Sequence, residues 1–355
     1  MNNHKRVFSG SRATGRLHLG NYLGAVKGYI ELTNNPNYES IFMVMDLHAI
    51  TTPYNKESLV QTSKEVIIDY LAAGLDPQKA IITAQSLVPE HTYLAYLFST
   101  VMSVARMQHL PTYKEKATQY PDDVTLALLN YPALMAADIL LYKAQLVPVG
   151  IDQEPHLEIA REVARKMNDR YKMDFPEPQR FATKGEYIPS LKGEGKMSKS
   201  VEGSYITLTD DIETIRQRLK SAPTDSGKGT IQDVVVDTQS RTSTRPTKKY
   251  IEKDSGSESI GVANLLKFVE LFEGSEKLEF YEELYQGPGI KYGDLKHELA
   301  DSIYEELQPI QERRAKLEQQ PSFIEEVIQE GAKQAGVIAQ QTLGEVREKM
   351  GLKIL

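Results

Sequence analysis

The chain contains no cysteine and no tryptophan. The first absence excludes disulfides, cysteine-ligated zinc, iron–sulfur clusters and thiol catalysis together. The second leaves the aromatic complement to 19 Tyr and 9 Phe, so intrinsic emission comes from tyrosine alone. Long apolar runs are missing too. Even Leu134–Tyr142 falls well short of the roughly 20 residues that a membrane span needs. The start, MNNHKRVFSG, lacks the apolar core of a signal peptide. Positive charge is outnumbered, with Lys+Arg 42 against Asp+Glu 49 and a net charge of −7. Such a chain does not coat nucleic acid indiscriminately, although a local basic patch can still bind it. The remaining composition, 40% hydrophobic and 26% charged over 355 residues, is that of a globular protein with about two domains. A soluble, cytoplasmic protein with no membrane partner is expected.

The first half alternates strand and helix signals. Arg6–Gly10 reads as a short strand entering a Gly-containing loop, and Leu19–Leu32 as a helix with Leu19, Leu23, Val26 and Ile30 on one stripe. Ser40–Asp46 is a continuous apolar run, as a parallel strand buried on both faces requires. Lys56–Ala73 is helical and ends at Gly74, while Ala80–Ala84 and Gln145–Val149 are further strands. The order predicts an α/β fold: a Rossmann-like doubly wound parallel sheet with helical insertions. From Ser221 to Ser259 the sequence turns polar and reads as a long connection or insertion, centred on 227–259. After Gly261 the pattern is helical to the end. The expected boundary lies near Leu208, giving an α/β domain over 1–208 and an all-helical one over 209–355.

Ligands of open α/β sheets bind beyond the carboxyl ends of the strands. Those ends carry Gly10, Asp46-Leu47-His48, Gln85 and Gly150-Ile151-Asp152. After the first strand comes Ser9-Gly10-Ser11-Arg12-Ala13-Thr14-Gly15, then Arg16-Leu17-His18-Leu19-Gly20-Asn21. A Gly-rich loop opening a helix can hold phosphate on backbone N–H groups, but this is neither G-x-G-x-x-G nor a Walker loop. His18 and Asn21 fall on one helical turn, and Gly20 leaves room for a flat ligand. The bland alternative is a capping Asn and a surface His. A second constellation is Gly193-Glu194-Gly195-Lys196-Met197-Ser198-Lys199-Ser200, two lysines in a loop hinged by Gly and Ser. Mobile ammonium groups can follow charge onto a leaving pyrophosphate; otherwise the stretch is a solvated loop. The seven His are scattered with no pair at ligand spacing, so no protein-bound metal is expected. A G-x-S-x-G elbow is absent.

His18-Leu19-Gly20-Asn21 resembles the first signature of the class I aminoacyl-tRNA synthetases, and Lys196-Met197-Ser198-Lys199-Ser200 matches their second. Tyr131–Tyr142 and Val147–Gln153 resemble the pocket segments of the tryptophanyl-tRNA synthetases within that class. The resemblance also includes Val7–Gly10 and Asp46–Thr51, and Tyr113–Lys116, Ser221–Ser226 and Asn264–Leu266 extend it beyond the catalytic fold. The resemblance implies that ATP, carrying Mg²⁺, is held by Arg12, Ala13, Thr14, Gly20 and Asn21. Gly150, Ile151, Asp152, Ile188 and the Lys196–Ser200 loop (Met197 and Ser198 included) complete that set. It further implies His18 near the phosphates, and Lys196, Lys199 and Lys116 on the leaving pyrophosphate. Phe8, His48, Met135 and Val149 would surround the amino acid's side chain, Asp138 would read its N–H, and Tyr131 and Gln153 its ammonium. The helical part would meet tRNA, and the protein would be a homodimer.

Met135 and Asp138 are spaced to face one cavity from a helix. A Met and a carboxylate suit an indole, whereas the tyrosyl relatives carry Gln at the position of Met135. Core packing for Met135 and a helix salt bridge for Asp138 are the plain alternatives. Two departures stand out. Ala13 replaces the family's usual Pro, and Arg12 is shared with a subgroup of which some members hold an iron–sulfur cluster, excluded here by the lack of Cys. A tyrosyl enzyme and a non-charging paralogue that binds tryptophan or ATP as a regulator are the competing readings. The exposed charges of the last helices, Arg313, Arg314 and Lys316 among them, read as a solvated face.

Overall fold

In the computed structural model the residues described are 5–183, 185, 187–199, 201–237 and 244–352, with backbone only at 234–237 and 244–247. Two compact units are interleaved along the chain. The first comprises Met1–Leu17, Asn21–Glu186 and Arg313–Leu355, the second His18–Gly20 and Tyr187–Glu312. Leu208, where the sequence places a boundary, therefore lies inside the second unit.

The first unit is built on five parallel strands, β1 (Lys5–Arg12), β2 (Tyr38–Met45), β3 (Ala80–Ala84), β4 (Leu146–Pro148) and β5 (Gln179–Phe181). Their order is β3-β2-β1-β4-β5, the doubly wound arrangement expected, with β5 an addition to it. Ile41 to Val44 are fully buried because helices cover both faces of the sheet. The order reverses beside β1, so its carboxyl end opens at the switch point between β2 and β4. The first expected helix is present but interrupted by a π-helical turn at Tyr22–Val26, and Tyr29 is its deepest aromatic, stacked on Phe42 at 4.2 Å.

Phe8, Ile41 and Met43 of the sheet pack with Leu94 and Phe98 of the helix Glu90–Ser99, Ile139 and Leu140 of the helix Leu126–Leu140, and Leu157 of the helix Glu154–Tyr171. Ala335, Ala339, Leu343 and Val346 join the same core from the last helix, Pro321–Lys349. That helix covers β3, an edge strand, which is one way to block edge-to-edge pairing. Its Gly331 makes the approach feasible, since a Cβ there would lie 2.1 Å from the Ile82 carbonyl oxygen.

In the second unit the polar stretch is not a bare connection. Gly229–Asp237 (β6) and Thr244–Glu252 (β7) pair antiparallel as a ribbon. Its neighbours are the helices Ile260–Glu273 and Ser275–Gln286. Tyr250 of β7 donates to Glu282 at 2.7 Å, and Tyr285 donates to Asp225 at 2.7 Å.

Candidate active site

In the first unit the helix Leu126–Leu140 presents Tyr131, Met135 and Asp138 along one face, four and three residues apart. The Thr125 hydroxyl caps its start by accepting from Leu128 N–H at 3.2 Å. Asp138 is 1% exposed, and a bare carboxylate at that depth would be costly. It is instead held by three donors. Oδ1 accepts from Gln85 Nε2 at 2.7 Å and from His91 Nδ1 at 2.6 Å, and Oδ2 accepts from His48 Nε2 at 2.7 Å. Burial pushes its carboxyl up, but the His48 imidazole and the bonds from His48 and His91 outweigh it and hold the pKa at about 2. Asp138 is therefore an ionised acceptor.

His91 donates from Nδ1, so its Nε2 accepts from the Tyr142 hydroxyl at 2.8 Å, and Tyr142 stacks on Phe8 with centroids 5.2 Å apart. His48 also lies edge-on to Tyr131 at 6.5 Å. Met135 and Val149 are half-buried against the core that includes Phe8. Tyr131 is linked to Gln153 through a residue the sequence did not single out. His156 Nδ1 donates to Gln153 Oε1 at 3.0 Å, and its Nε2 accepts from Tyr131 Oη at 2.5 Å. Burial lowers the His156 pKa, which suits this neutral role. Gln153 in turn donates to Asp152 at 2.8 Å. The expected amino-acid residues Phe8, His48, Tyr131, Met135, Asp138, Val149 and Gln153 are thus brought to one neighbourhood.

The residues of this unit expected to hold nucleotide are placed as follows. Arg12 donates to the His48 carbonyl and to Thr52 Oγ1, both at 3.1 Å. Ala13 is buried, and Thr14 N–H turns back onto the Arg12 carbonyl at 2.8 Å. Gly150 precedes the turn Ile151–Gln153 that opens the helix Glu154–Tyr171. Lys116, on the helix Pro111–Gln119, donates to Gln119 at 2.7 Å. Asn21 also belongs to this unit.

The second unit gathers His18, Gly20 and the lysine loop. Leu19 N–H donates to the Ile206 carbonyl at 2.8 Å, which sets the signature segment beside residues 205–207. The room that Gly20 leaves is taken by His18, since a Cβ would lie 2.8 Å from its ring. Burial, then the charges of Lys199 and Lys196, depress the His18 pKa to about 4. His18 is neutral at pH 7. The loop doubles back, with Ser190 N–H on the Gly195 carbonyl and Met197 N–H on the Ile188 carbonyl, both at 2.9 Å. Gly193 and Gly195, at φ of +111° and +89°, supply the left-handed positions of its tip. Asn264 Nδ2 clasps that tip through the carbonyls of Ser190 and Gly193, at 2.9 and 2.7 Å. Ile188 and Met197 are buried, Lys196 is exposed and Lys199 is half-buried. The Ser198 carbonyl accepts from Ser204 Oγ at 2.7 Å. Ser200, expected among the nucleotide residues, lies outside the described residues.

Residues 1–308 match the family described as tRNA synthetases class I (W and Y). The chain belongs to the class I tRNA synthetases. It is similar to a tryptophan–tRNA ligase of Porphyromonas gingivalis, 36% identical over 350 residues that cover 98% of this chain and 99% of that one. Among solved structures it is similar to the tryptophanyl-tRNA synthetase of Mycoplasma pneumoniae, with TM-score 0.82, 30% identity, and 99% and 98% of the two chains covered. The Campylobacter jejuni enzyme complexed with ADP and tryptophan is similar at TM-score 0.77 and 28% identity, over 98% of this chain and 100% of that one. The resemblance of the two signatures is thus borne out by the whole chain. Reading this class I synthetase by sequence alone missed Gln85, His91, Tyr142 and His156 as parts of the polar network. Gln85 did stand at a strand end and Tyr142 lies four residues after Asp138, but nothing local tied His91 or His156 to the network. Among the described residues no cluster of three or more His, Asp or Glu could hold a metal. No helix of the described residues is long and apolar enough to cross a membrane.

Proposed function

We infer that this synthetase is a tryptophan–tRNA ligase. The observation that carries the reading is the pairing of Met135 with an ionised, buried Asp138 on one helix face, an apolar wall beside a single N–H acceptor. The tryptophan α-carboxylate attacks the α-phosphorus of Mg²⁺-ATP, and the bond to the bridging oxygen breaks as pyrophosphate leaves. A terminal ribose hydroxyl of the tRNA then attacks the adenylate's carbonyl carbon, and tryptophan passes to the tRNA as AMP leaves. Such a reaction asks chiefly for positioning and charge stabilisation.

Phe8, His48, Met135 and Val149 enclose the indole, and Asp138 accepts its N–H. Tyr131 donates to His156, so its oxygen lone pairs turn to the α-ammonium, with Gln153 alongside. Arg12, Ala13, Thr14, Gly20 and Asn21 hold ATP, with neutral His18 by the phosphates. Gly150, Ile151, Asp152 and Ile188 take the ribose and adenine. Lys196, Lys199 and Lys116 meet the charge that moves onto pyrophosphate, with Met197, Ser198 and Ser200 shaping their loop. The helical segment meets the tRNA(Trp) anticodon in the cytoplasm.

A homodimer is supported by the exposure of Tyr96 (69%) and Leu126 (83%) on two helices that pack against one another. Light scattering on the purified protein tests the mass. Pyrophosphate exchange with each of the twenty amino acids tests the reaction: tryptophan alone should support it. Exchange with tyrosine would turn the reading to a tyrosyl enzyme, and exchange with none to a regulatory paralogue.

A further inference from the structure

The solvated face expected around Arg313–Lys316 holds only in part. Arg314 is 3% exposed, and a guanidinium at that depth persists only when paired. Its Nη1 binds Asp69 Oδ1 and its Nη2 binds Glu65 Oε2, both closely. Arg313 beside it donates to the Ala72 carbonyl at 2.5 Å, on the last turn of the helix Leu59–Ala73. Glu65 and Asp69 stand one turn apart on that helix, and each has a second partner in the loop after β1. Glu65 Oε2 accepts from Arg16 Nε at 3.0 Å, and Asp69 Oδ2 accepts from the Leu17 backbone N–H at 2.6 Å. Leu17 directly precedes His18. Arg16, Leu17, Glu65, Asp69 and Arg314 all belong to the first unit.

The loop thus takes its backbone anchor from a fully buried carboxylate, and that carboxylate's charge is matched by Arg314 from the helix Tyr292–Glu318. We propose that Arg314 is a positioning residue for ATP, acting through Asp69 and the Leu17 N–H to fix the start of the first signature. Arg314 touches no reacting atom in this scheme. The inference rests on the reading of Arg12–Thr14 and His18–Asn21 as nucleotide-binding, and it assigns the tryptophan residues no share in the effect.

The test is a small set of variants assayed by tryptophan-dependent exchange and by melting temperature. Arg314→Met alone strands two carboxylates and can fail to fold, so the informative variant is Arg314→Met combined with Asp69→Leu. It exchanges a buried ion pair for apolar side chains, which often preserves stability, yet it removes the acceptor of Leu17 N–H. The expected result is a KM for ATP raised about tenfold, the scale of one lost buried bond, with the KM for tryptophan within about twofold. Arg314→Lys, which keeps one charge but not the fork, should fall between. An unchanged KM for ATP in the folded double variant, or equal rises for both substrates, would overturn the assignment. If the parent protein showed no exchange at all, the ligase reading would fail separately. The ATP dissociation constant by equilibrium dialysis would still decide Arg314, weaker binding in the double variant supporting it and equal binding overturning it.

Discussion

His91 fixes Asp138 by donating Nδ1–H to Oδ1 at 2.6 Å, while its own Nε2 is fixed by Tyr142. With Gln85 also on Oδ1 and only His48 on Oδ2, the carboxylate keeps one acceptor direction on Oδ2 among the described residues. That geometry suits one ligand N–H. In the proposed role Asp138 serves stability and recognition together, so a lowered melting temperature after mutation does not separate the two.

Selectivity does separate them. Asp138→Ala should cut kcat/KM for tryptophan by about 10- to 150-fold, the worth of a charge-assisted bond of about 1.5–3 kcal/mol. The benzothiophene analogue, which keeps the shape and lacks the N–H, should lose less than about threefold. Equal losses for both would show that the indole is read elsewhere.

The same carboxyl carries a pH signature. Its folded pKa of about 2 lies below the unfolded value of about 3.9, so its stabilisation is complete above that value. It is lost as the pH falls from about 4 through about 2, by about 2–3 kcal/mol in all. Urea unfolding of the parent and of Asp138→Asn should therefore converge in stability over that interval. A constant difference down to pH 2 would mean that Asp138 is not held ionised.

How much of this was legible beforehand depended on range. The apolar run at Ser40–Asp46 and the helical spacing of Tyr131, Met135 and Asp138 are local patterns, so the strand and the shared helix face could both be read from them. His91 lies 47 residues from Asp138 and Gln85 lies 53, and no periodicity connects them. Arg314 looked like any charge on a polar helix, because periodicity does not say which flank another helix will cover. The ribbon β6–β7 was hidden by its polar composition, since of its described side chains Tyr250 alone is buried and its anchors, such as Tyr250 to Glu282, are again distant.

Because the chain has no Trp, substrate is the sole indole in a binding experiment. The free protein should emit as tyrosine does. Adding tryptophan should give a saturable shift of its emission, as transfer beside Met135 and Phe8 changes its surroundings. Asp138→Ala should weaken the titration by the same 10- to 150-fold as kcat/KM. A linear, unshifted signal up to millimolar tryptophan would exclude this pocket.

Lys199 links the two chemical features of the second unit. Its charge is, after burial, the larger of the two lysine effects that depress the His18 pKa to about 4. In Lys199→Ala the His18 pKa should rise toward its ordinary 6.5, measurable by NMR titration of the imidazole. The sign for stability follows. A histidine whose folded pKa is lowered costs stability as the pH falls from about 6.5 to about 4, because the unfolded chain takes the proton first. The variant should lose less stability than the parent over that range. Catalysis should move the other way. Tryptophan binding should stay intact while adenylate formation slows by roughly 10²–10³-fold, the scale of one electrostatic group that acts only in the transition state. An unmoved His18 titration would separate the lysine from the histidine. Unchanged exchange kinetics would remove Lys199 from the reaction, whatever its effect on His18.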